Sequence, residues 1–287
     1  MQGYDKTRSM VTAIVAFIAI CLGALVLLSS YIYFAQERMI FYPRPNDPQL
    51  RAQWRWNRVE ISSGEHTIEG WWADAGAPES NLTIVYFGGN AEDVLYAARD
   101  AARFEAKRML VVNYRGFGKS QGKPSQRALF ADALAVYDYV TGPGNAEPQD
   151  LIVMGRSMGA AVATMLAAKR ELRAVVLITP FDSLRAVAER HYPALLVRLL
   201  LRHPFPSHEL APQAQVPALF LIAEQDRIVP PSHSYALARV WGGPTHTRAF
   251  ENVGHNDIEK HPAYYREINA FLRRQATGNS DERANAR

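Results

Sequence analysis

The apolar positions of this chain fall into three patterns, and each predicts a different kind of element. The first is a single long block: Ser9 to Gln36 carries no charge, and Met10 to Phe34 is apolar apart from Thr12, Gly23, Ser29 and Ser30. As a helix this block extends roughly 37 Å at about 1.5 Å per residue, enough to cross a bilayer core. The second pattern is alternation. Arg58 to Ser62 and Thr67 to Ala73, joined by Ser63-Gly64-Glu65-His66, predict an antiparallel hairpin. The third is a series of short, nearly continuous apolar runs at Leu82 to Phe87, Met109 to Val112, Leu151 to Met154, Ala174 to Ile178 and Ala218 to Ala223. Strands buried on both faces of a parallel sheet look like this. Between and after them, Leu129, Ala133, Val136 and Val140 recur at helical spacing, as do Tyr264, Ile268, Phe271 and Leu272. The expected fold class is therefore α/β: a mostly parallel sheet with an antiparallel start and helices on both faces, preceded by one transmembrane helix.

The same patterns divide the chain. Residues 1–9 precede the apolar block, 10–34 form the expected transmembrane anchor, and 35–57 a connector, proline-rich and polar from Arg44 to Arg55. Residues 58–277 make the globular domain, with an insertion at 183–215, and 278–287 a polar, flexible tail. An uncleaved anchor is expected rather than a signal peptide. A signal's apolar region runs about 7 to 15 residues, whereas this one is longer and is followed by Tyr31-Ile32-Tyr33-Phe34, a candidate interfacial belt. Lys6 and Arg8 precede the span and Arg38, Arg44 and Arg51 follow it, so charge alone does not orient it. The adopted reading is a single-pass membrane protein with its large domain extracytoplasmic.

Composition narrows the function classes. With 287 residues, 48% of them hydrophobic, the chain can build one large core. A net charge of +4 with no basic run of five argues against a nucleic-acid partner. Cys21 is the only cysteine, which excludes an internal disulfide and a cysteine-based zinc site. Oligomeric state is not legible.

Candidate chemistry centres on Gly155-Arg156-Ser157-Met158-Gly159, placed between the run Leu151 to Met154 and the small-residue run Ala160 to Ala168. A G-x-S-x-G on a turn from strand to helix is the context of a nucleophile elbow. The glycines two before and two after Ser157 leave room for the strained turn, and the new helix aims its free N–H groups above the serine. A serine hydroxyl needs a base, and the base an orienting acid; in this architecture both follow the serine, acid first. Asp226, just past Ala218 to Ala223, is the preferred acid, with Asp182 and Glu224 as competitors. Of eight histidines, only His255 sits in a small loop, Val253-Gly254-His255-Asn256-Asp257, between the strand candidate Thr247 to Phe250 and the final helix. It is the preferred base. An oxyanion would be met by the backbone N–H of Met158 and, from the loop Gly88-Gly89-Asn90-Ala91, that of Asn90, each such donor supplying about 3 to 4 kcal/mol.

Gly116-Phe117-Gly118-Lys119-Ser120 ends like a phosphate-binding loop, but Asn113 stands where that motif needs its first glycine. The insertion carries Leu195-Leu196-Val197 and Leu199-Leu200-Leu201 with Arg190, Arg198 and Arg202 interspersed. These leucines suit either an apolar lid lining an acyl site or additional core.

These segments resemble the α/β-hydrolase superfamily, and within it the membrane-anchored branch related to the yeast bud-emergence protein and its animal relatives. The matching residues are Tyr86 to Glu92, Asn113 to Ser120, Gly155 to Gly159, Thr179-Pro180-Phe181-Asp182-Ser183, Asp226-Arg227-Ile228-Val229-Pro230, Gly254 to Asp257, and Arg38 to Pro43 after the apolar span. The chain departs from the branch at Gly88, where histidine is usual. The resemblance implies an α/β-hydrolase fold and a serine hydrolase with Ser157, Asp226 and His255 as catalytic residues, working without metal or organic cofactor. Its expected substrate is a small acyl ester or thioester, a lipid or an acylated molecule, met at the membrane bilayer. A peptidase or amidase with the same residues, and a non-enzymatic membrane scaffold of the same fold, are the alternatives.

Overall fold

The computed structural model describes residues 2–285. Met1, Ala286 and Arg287 lie outside the described residues, and with them the ends of the expected leading segment and tail. The chain opens with α1 (Gln2–Ile40), long and apolar enough to cross a membrane from Ser9 onward, with none of its most apolar stretch buried. It does not stop at residue 34. Gln36 is buried and continues the helix into contact with the globular domain, so the turn through Glu37 and Arg38 is held by protein. The connector contains α2 (Pro48–Gln53), started by Asp47, whose carboxylate accepts from the N–H groups of Gln49 and Leu50.

Then follow β1 (Arg58–Ser63), β2 (His66–Asp74), β3 (Thr83–Phe87), α3 (Leu95–Arg99), β4 (Arg108–Val112), α4 (Gln126–Thr141), β5 (Leu151–Arg156), α5 (Met158–Lys169) and β6 (Ala174–Ile178). The insertion supplies α6 (Leu184–Glu189), α7 (Ala194–Leu200) and α8 (Ser207–Leu210). The chain closes with β7 (Ala218–Ala223), α9 (Pro231–Arg239), β8 (Thr245–Phe250) and α10 (Tyr264–Asn285), the last running through most of the expected tail.

The eight strands form one sheet in the order β1-β2-β4-β3-β5-β6-β7-β8. β2 runs antiparallel to β1 and β4, and every other pairing is parallel. One face is packed by α4, α5 and α9 through residues such as Leu129, Val162 and Leu237, the other by α3 and α10 through Leu95, Ile268 and Phe271. Met158 to Ala167 are all buried, which is why α5 shows no polar face in the sequence. β8 is its opposite: Thr245 to Ala249 are exposed at the sheet edge.

The site follows from the order of the strands. The chain leaves β3 for β4 on one side and returns to β5 on the other, so connections diverge between β3 and β5, and a crevice opens at the carboxyl ends. Phe87 pairs with Gly155, and Arg156 with Ile178, which brings the loop after β3, the turn after β5 and the end of β6 together at that rim.

Candidate functional site

Ser157 stands between β5 and α5 with φ 52° and ψ −113°, a left-handed conformation that non-glycine residues rarely hold. Two neighbours make this possible. A Cβ on Gly155 would meet the Gly159 carbonyl oxygen at 2.2 Å, and one on Gly159 would meet the Phe87 carbonyl oxygen at 2.0 Å. The Ser157 N–H donates to the Ile178 carbonyl at 2.8 Å, fastening the turn to β6.

His255 and Asp226 reach this turn from separate loops, 98 and 69 residues further along the chain from Ser157. Ser157 Oγ lies 2.9 Å from His255 Nε2, and His255 Nδ1 lies 2.6 Å from Asp226 Oδ2. A carboxylate only accepts, so Nδ1 carries the proton and Nε2 is left to accept from the serine hydroxyl. The other Asp226 oxygen accepts from the N–H groups of Ile228 (2.9 Å) and Val229 (2.8 Å), which hold the carboxylate in place. Both Asp226 and His255 are buried. The histidine loop is held by Asp257, accepting from Gly254 N–H at 2.6 Å, and by Arg156, donating to the His255 carbonyl at 3.0 Å.

These groups face a cavity of about 520 Å³. Asn90, Met158, Ser157 and His255 line it, with Asp226 behind the histidine. Glu92, Arg156 and Asn256 add polar groups to the lining, and the rest of the wall is largely apolar: Phe181, Leu184, Val187, Phe205, Ile228 and Val229, joined by Ile40 at the end of α1 and Tyr42 just after it. The loop after β3 lies against the serine, since a Cβ on Gly89 would stand 3.8 Å from that of Ser157. Ala91 holds this loop in a left-handed conformation with φ 61°. Among the described residues, no cluster of three histidine, cysteine, aspartate or glutamate side chains is arranged to hold a metal ion.

Residues 78–210 match the Hydrolase_4 family, described as serine aminopeptidase, S33. An uncharacterized protein of Mycobacterium tuberculosis is 32% identical over 252 residues, covering 86% of this chain and 88% of its own. Protein bem46 of Schizosaccharomyces pombe is 27% identical over 276 residues, covering 90% and 91%. The chain belongs to the α/β-hydrolase family. Its fold agrees with that of the Pyrococcus furiosus esterase Pf2001, with a TM-score of 0.61 at 19% identity over 82% of this chain and 99% of the esterase.

In this hydrolase the two competing acids are engaged elsewhere. Asp182 accepts from His233 Nδ1 at 2.8 Å, and Glu224 accepts from the Tyr235 hydroxyl at 2.5 Å. That second bond, with burial behind it, pushes the Tyr235 hydroxyl up to about 12. The phosphate-loop look-alike is a brace: Ser120 Oγ accepts from Glu69 N–H, and Arg115 pairs with Asp132.

Of the leucines in the insertion, Leu195, Leu196 and Leu199 are exposed and line no part of the cavity, and Leu200 and Leu201 are half-buried. Leu184, Val187 and Phe205 line the cavity, whereas Leu195 and Leu199 are 69% and 68% exposed and only Val197 of α7 is buried. A helix as short as α7 rests on its neighbours along one narrow stripe, and here that stripe is Val197.

Two contributions to the site were not anticipated from the sequence. Glu92 accepts from the Gly89 N–H and the Tyr86 hydroxyl, both at 2.7 Å, bracing the loop after β3 from beneath. Burial, reinforced by the Glu92 charge, pushes the Tyr86 hydroxyl well up, so it stays a donor. Tyr114 adds a bond to the Gly88 carbonyl at 2.7 Å. Gly88 itself suits this packing, because a Cβ there would come within 2.9 Å of Val94. The second contribution is the Asn90 side chain, which donates to the Ile40 carbonyl (2.7 Å) and accepts from Tyr42 N–H (3.0 Å). The Glu92 brace left only the uncommitted signal of a glutamate near a glycine turn, and the Asn90 contact left none, since its partners lie 50 and 48 residues away.

Proposed function

We propose that this protein is a membrane-anchored serine hydrolase that cleaves an acyl ester or thioester through an acyl-enzyme on Ser157. The observation carrying the reading is the unbroken chain from Ser157 Oγ to His255 (2.9 Å) to Asp226 (2.6 Å), facing an apolar cavity. His255 Nε2 takes the hydroxyl proton as Oγ attacks the acyl carbon. The N–H groups of Met158 and Asn90 meet the developing oxyanion. The leaving alcohol or thiol departs with the proton from Nε2, water repeats the sequence on the acyl-enzyme, and Ser157 regains its hydrogen. Asp226 keeps the ring in the needed tautomer and stabilises it when charged. No metal or organic cofactor enters this scheme.

The apolar wall supports an acyl chain as the group bound beside Ser157. α1 supports anchoring, with its aromatic residues proposed to sit at the membrane boundary; the extracytoplasmic side is our proposal for the domain. The aminopeptidase description of the matched family favours a second reading, amide hydrolysis beside a free amino terminus. A substrate ammonium needs a carboxylate facing the cavity. Glu92 is the only acidic residue lining it among the described residues, and both its oxygens already accept hydrogen bonds. The ester reading therefore leads. A series of p-nitrophenyl esters and matched aminoacyl anilides tests it: esters turned over with a preference for longer chains are expected, and turnover of anilides alone would reverse the order.

A further inference from the structure

Most of the exposed large apolar residues of the described structure fall in two groups, with Tyr96 and Val240 apart from them. Those of α1 are the expected transmembrane span, and a second group lies in and just before α7: Tyr192, Leu195, Leu196 and Leu199, at 63%, 69%, 38% and 68% exposure. This group is attached to α1 at a definite height. Gln36 donates to the Leu200 carbonyl at 2.9 Å and accepts from Arg202 N–H at 2.8 Å, while Arg202 pairs with Glu37 at 3.2 Å and lies over the Tyr33 ring. Gln36 follows Phe34, the last aromatic of the boundary segment, by about 3 Å of helix rise. α7 is only about 10 Å long at the same rise. Its leucines are thus held at the level where α1 leaves the apolar layer. Aromatic and leucine side chains there, with arginines on the same segment, have the character of an interfacial helix.

We propose that α7 and the chain leading into it lie in the headgroup and acyl boundary of the same phospholipid bilayer that α1 crosses, so that the cavity opens onto lipid and draws acyl chains from it. This rests on the anchored-hydrolase reading. Its second support is the cavity itself: Ile40 at the end of α1 and Tyr42 just after it form part of its wall, and Tyr42 and Ile228 are both lining and exposed, marking a rim beside the membrane. A bilayer-resident acyl chain then passes from lipid to the apolar wall with little exposure to water. The leucines that neither line the cavity nor join the core gain an apolar environment.

The test uses the full chain with Cys21→Ser, reconstituted in phosphatidylcholine vesicles and spin-labelled singly at Ile18→Cys, Leu195→Cys, Leu199→Cys or Thr247→Cys. Relaxation by oxygen against a water-soluble nickel chelate reports depth. Labels at 195 and 199 are expected to favour oxygen, as at 18, while Thr247 on exposed β8 favours the chelate. Water-like values at 195 and 199 with a lipid value at 18 overturn the inference and leave the anchor standing. A water-like value at 18 overturns both. In a second arm, Leu195→Glu with Leu199→Glu is expected to lower hydrolysis of a vesicle-embedded long-chain ester about tenfold and leave a short soluble ester unchanged. Equal effects on the two substrates count against the inference, and no turnover of either by the wild type counts against the hydrolase reading, which the depth measurement does not depend on.

Discussion

His255 and His233 each set Nδ1 against an aspartate, at 2.6 Å from Asp226 and 2.8 Å from Asp182, and both aspartates follow parallel strands at the same rim of the sheet. The histidines are equally buried, at 8% exposure each. They differ in what the far nitrogen meets. Nε2 of His255 faces the Ser157 hydroxyl at 2.9 Å, whereas Nε2 of His233 is buried with no hydrogen-bonding partner among the described residues. A histidine and carboxylate pair is therefore not a signature of catalysis in itself. One pair faces a serine hydroxyl in a cavity, where the proposed mechanism has it polarise a nucleophile, and the other ties α9 to the loop after β6, where Ser234 adds a bond to the Pro180 carbonyl. Chemistry is assigned by the third group, not by the pair.

Substitutions in the two pairs separate them most widely in turnover. Ser157→Ala and His255→Ala are expected to lower kcat for ester hydrolysis by roughly 10⁴- to 10⁶-fold, with His233→Ala changing it less than about threefold once folded protein is counted. Asp226→Asn is expected to cost about 10⁴-fold, because the amide favours the wrong tautomer. Asp182→Asn leaves turnover near wild type. A comparable loss at both positions would break the distinction. The loop after β3 gives an intermediate effect: Asn90→Ala removes two bonds to the end of α1, and kcat is expected to fall about tenfold with KM little changed. A stopped assay on one p-nitrophenyl ester reads all of these.

Stability sharpens the comparison from the other side. Asp182→Asn removes a charged partner from a buried histidine and is expected to cost about 1 to 3 kcal/mol in urea unfolding. The effect depends on pH. Burial pushes the Asp182 carboxyl up, but hydrogen bonds from His233 and the Ser183 N–H outweigh it and hold the group below its ordinary value of 3.8. A lowered carboxylate contributes in full above its ordinary value and loses that contribution as pH falls through the lowered one. The stability gap between wild type and Asp182→Asn should thus be constant above about pH 5 and narrow below 3.8. Glu69, lowered by Arg51 and Arg58 against its burial, contributes the same slope to both proteins and cancels from the difference. A gap that widens in acid would contradict the assignment.

Much of the framework could be read from the chain because parallel strands buried on both faces leave continuous apolar runs. β6 and β7 span the expected residues, and β3, β4 and β5 differ only at their ends. The turn at Ser157 was legible because its glycines answer a local need for space. The choice among Asp182, Asp226 and Glu224 was harder. All three follow apolar strands, and which histidine each meets depends on loops 51 and 29 residues apart for the two aspartates. α7 was ambiguous for another reason: a leucine-rich segment reads alike whether it meets core, cavity or lipid. The continuation of α1 to Ile40 was hidden by Glu37 and Arg38, charges that mark an end in lipid but are satisfied here beside Arg202 and solvent.

Ser157 is, on the proposed reading, a nucleophile activated by His255. Full-length protein in detergent should be treated with a fluorophosphonate, digested, and the adduct located by mass spectrometry. One adduct is predicted, on Ser157, retained in His233→Ala and lost in folded His255→Ala. Folded wild type that forms no adduct, or an adduct that survives in Ser157→Ala, would contradict the account.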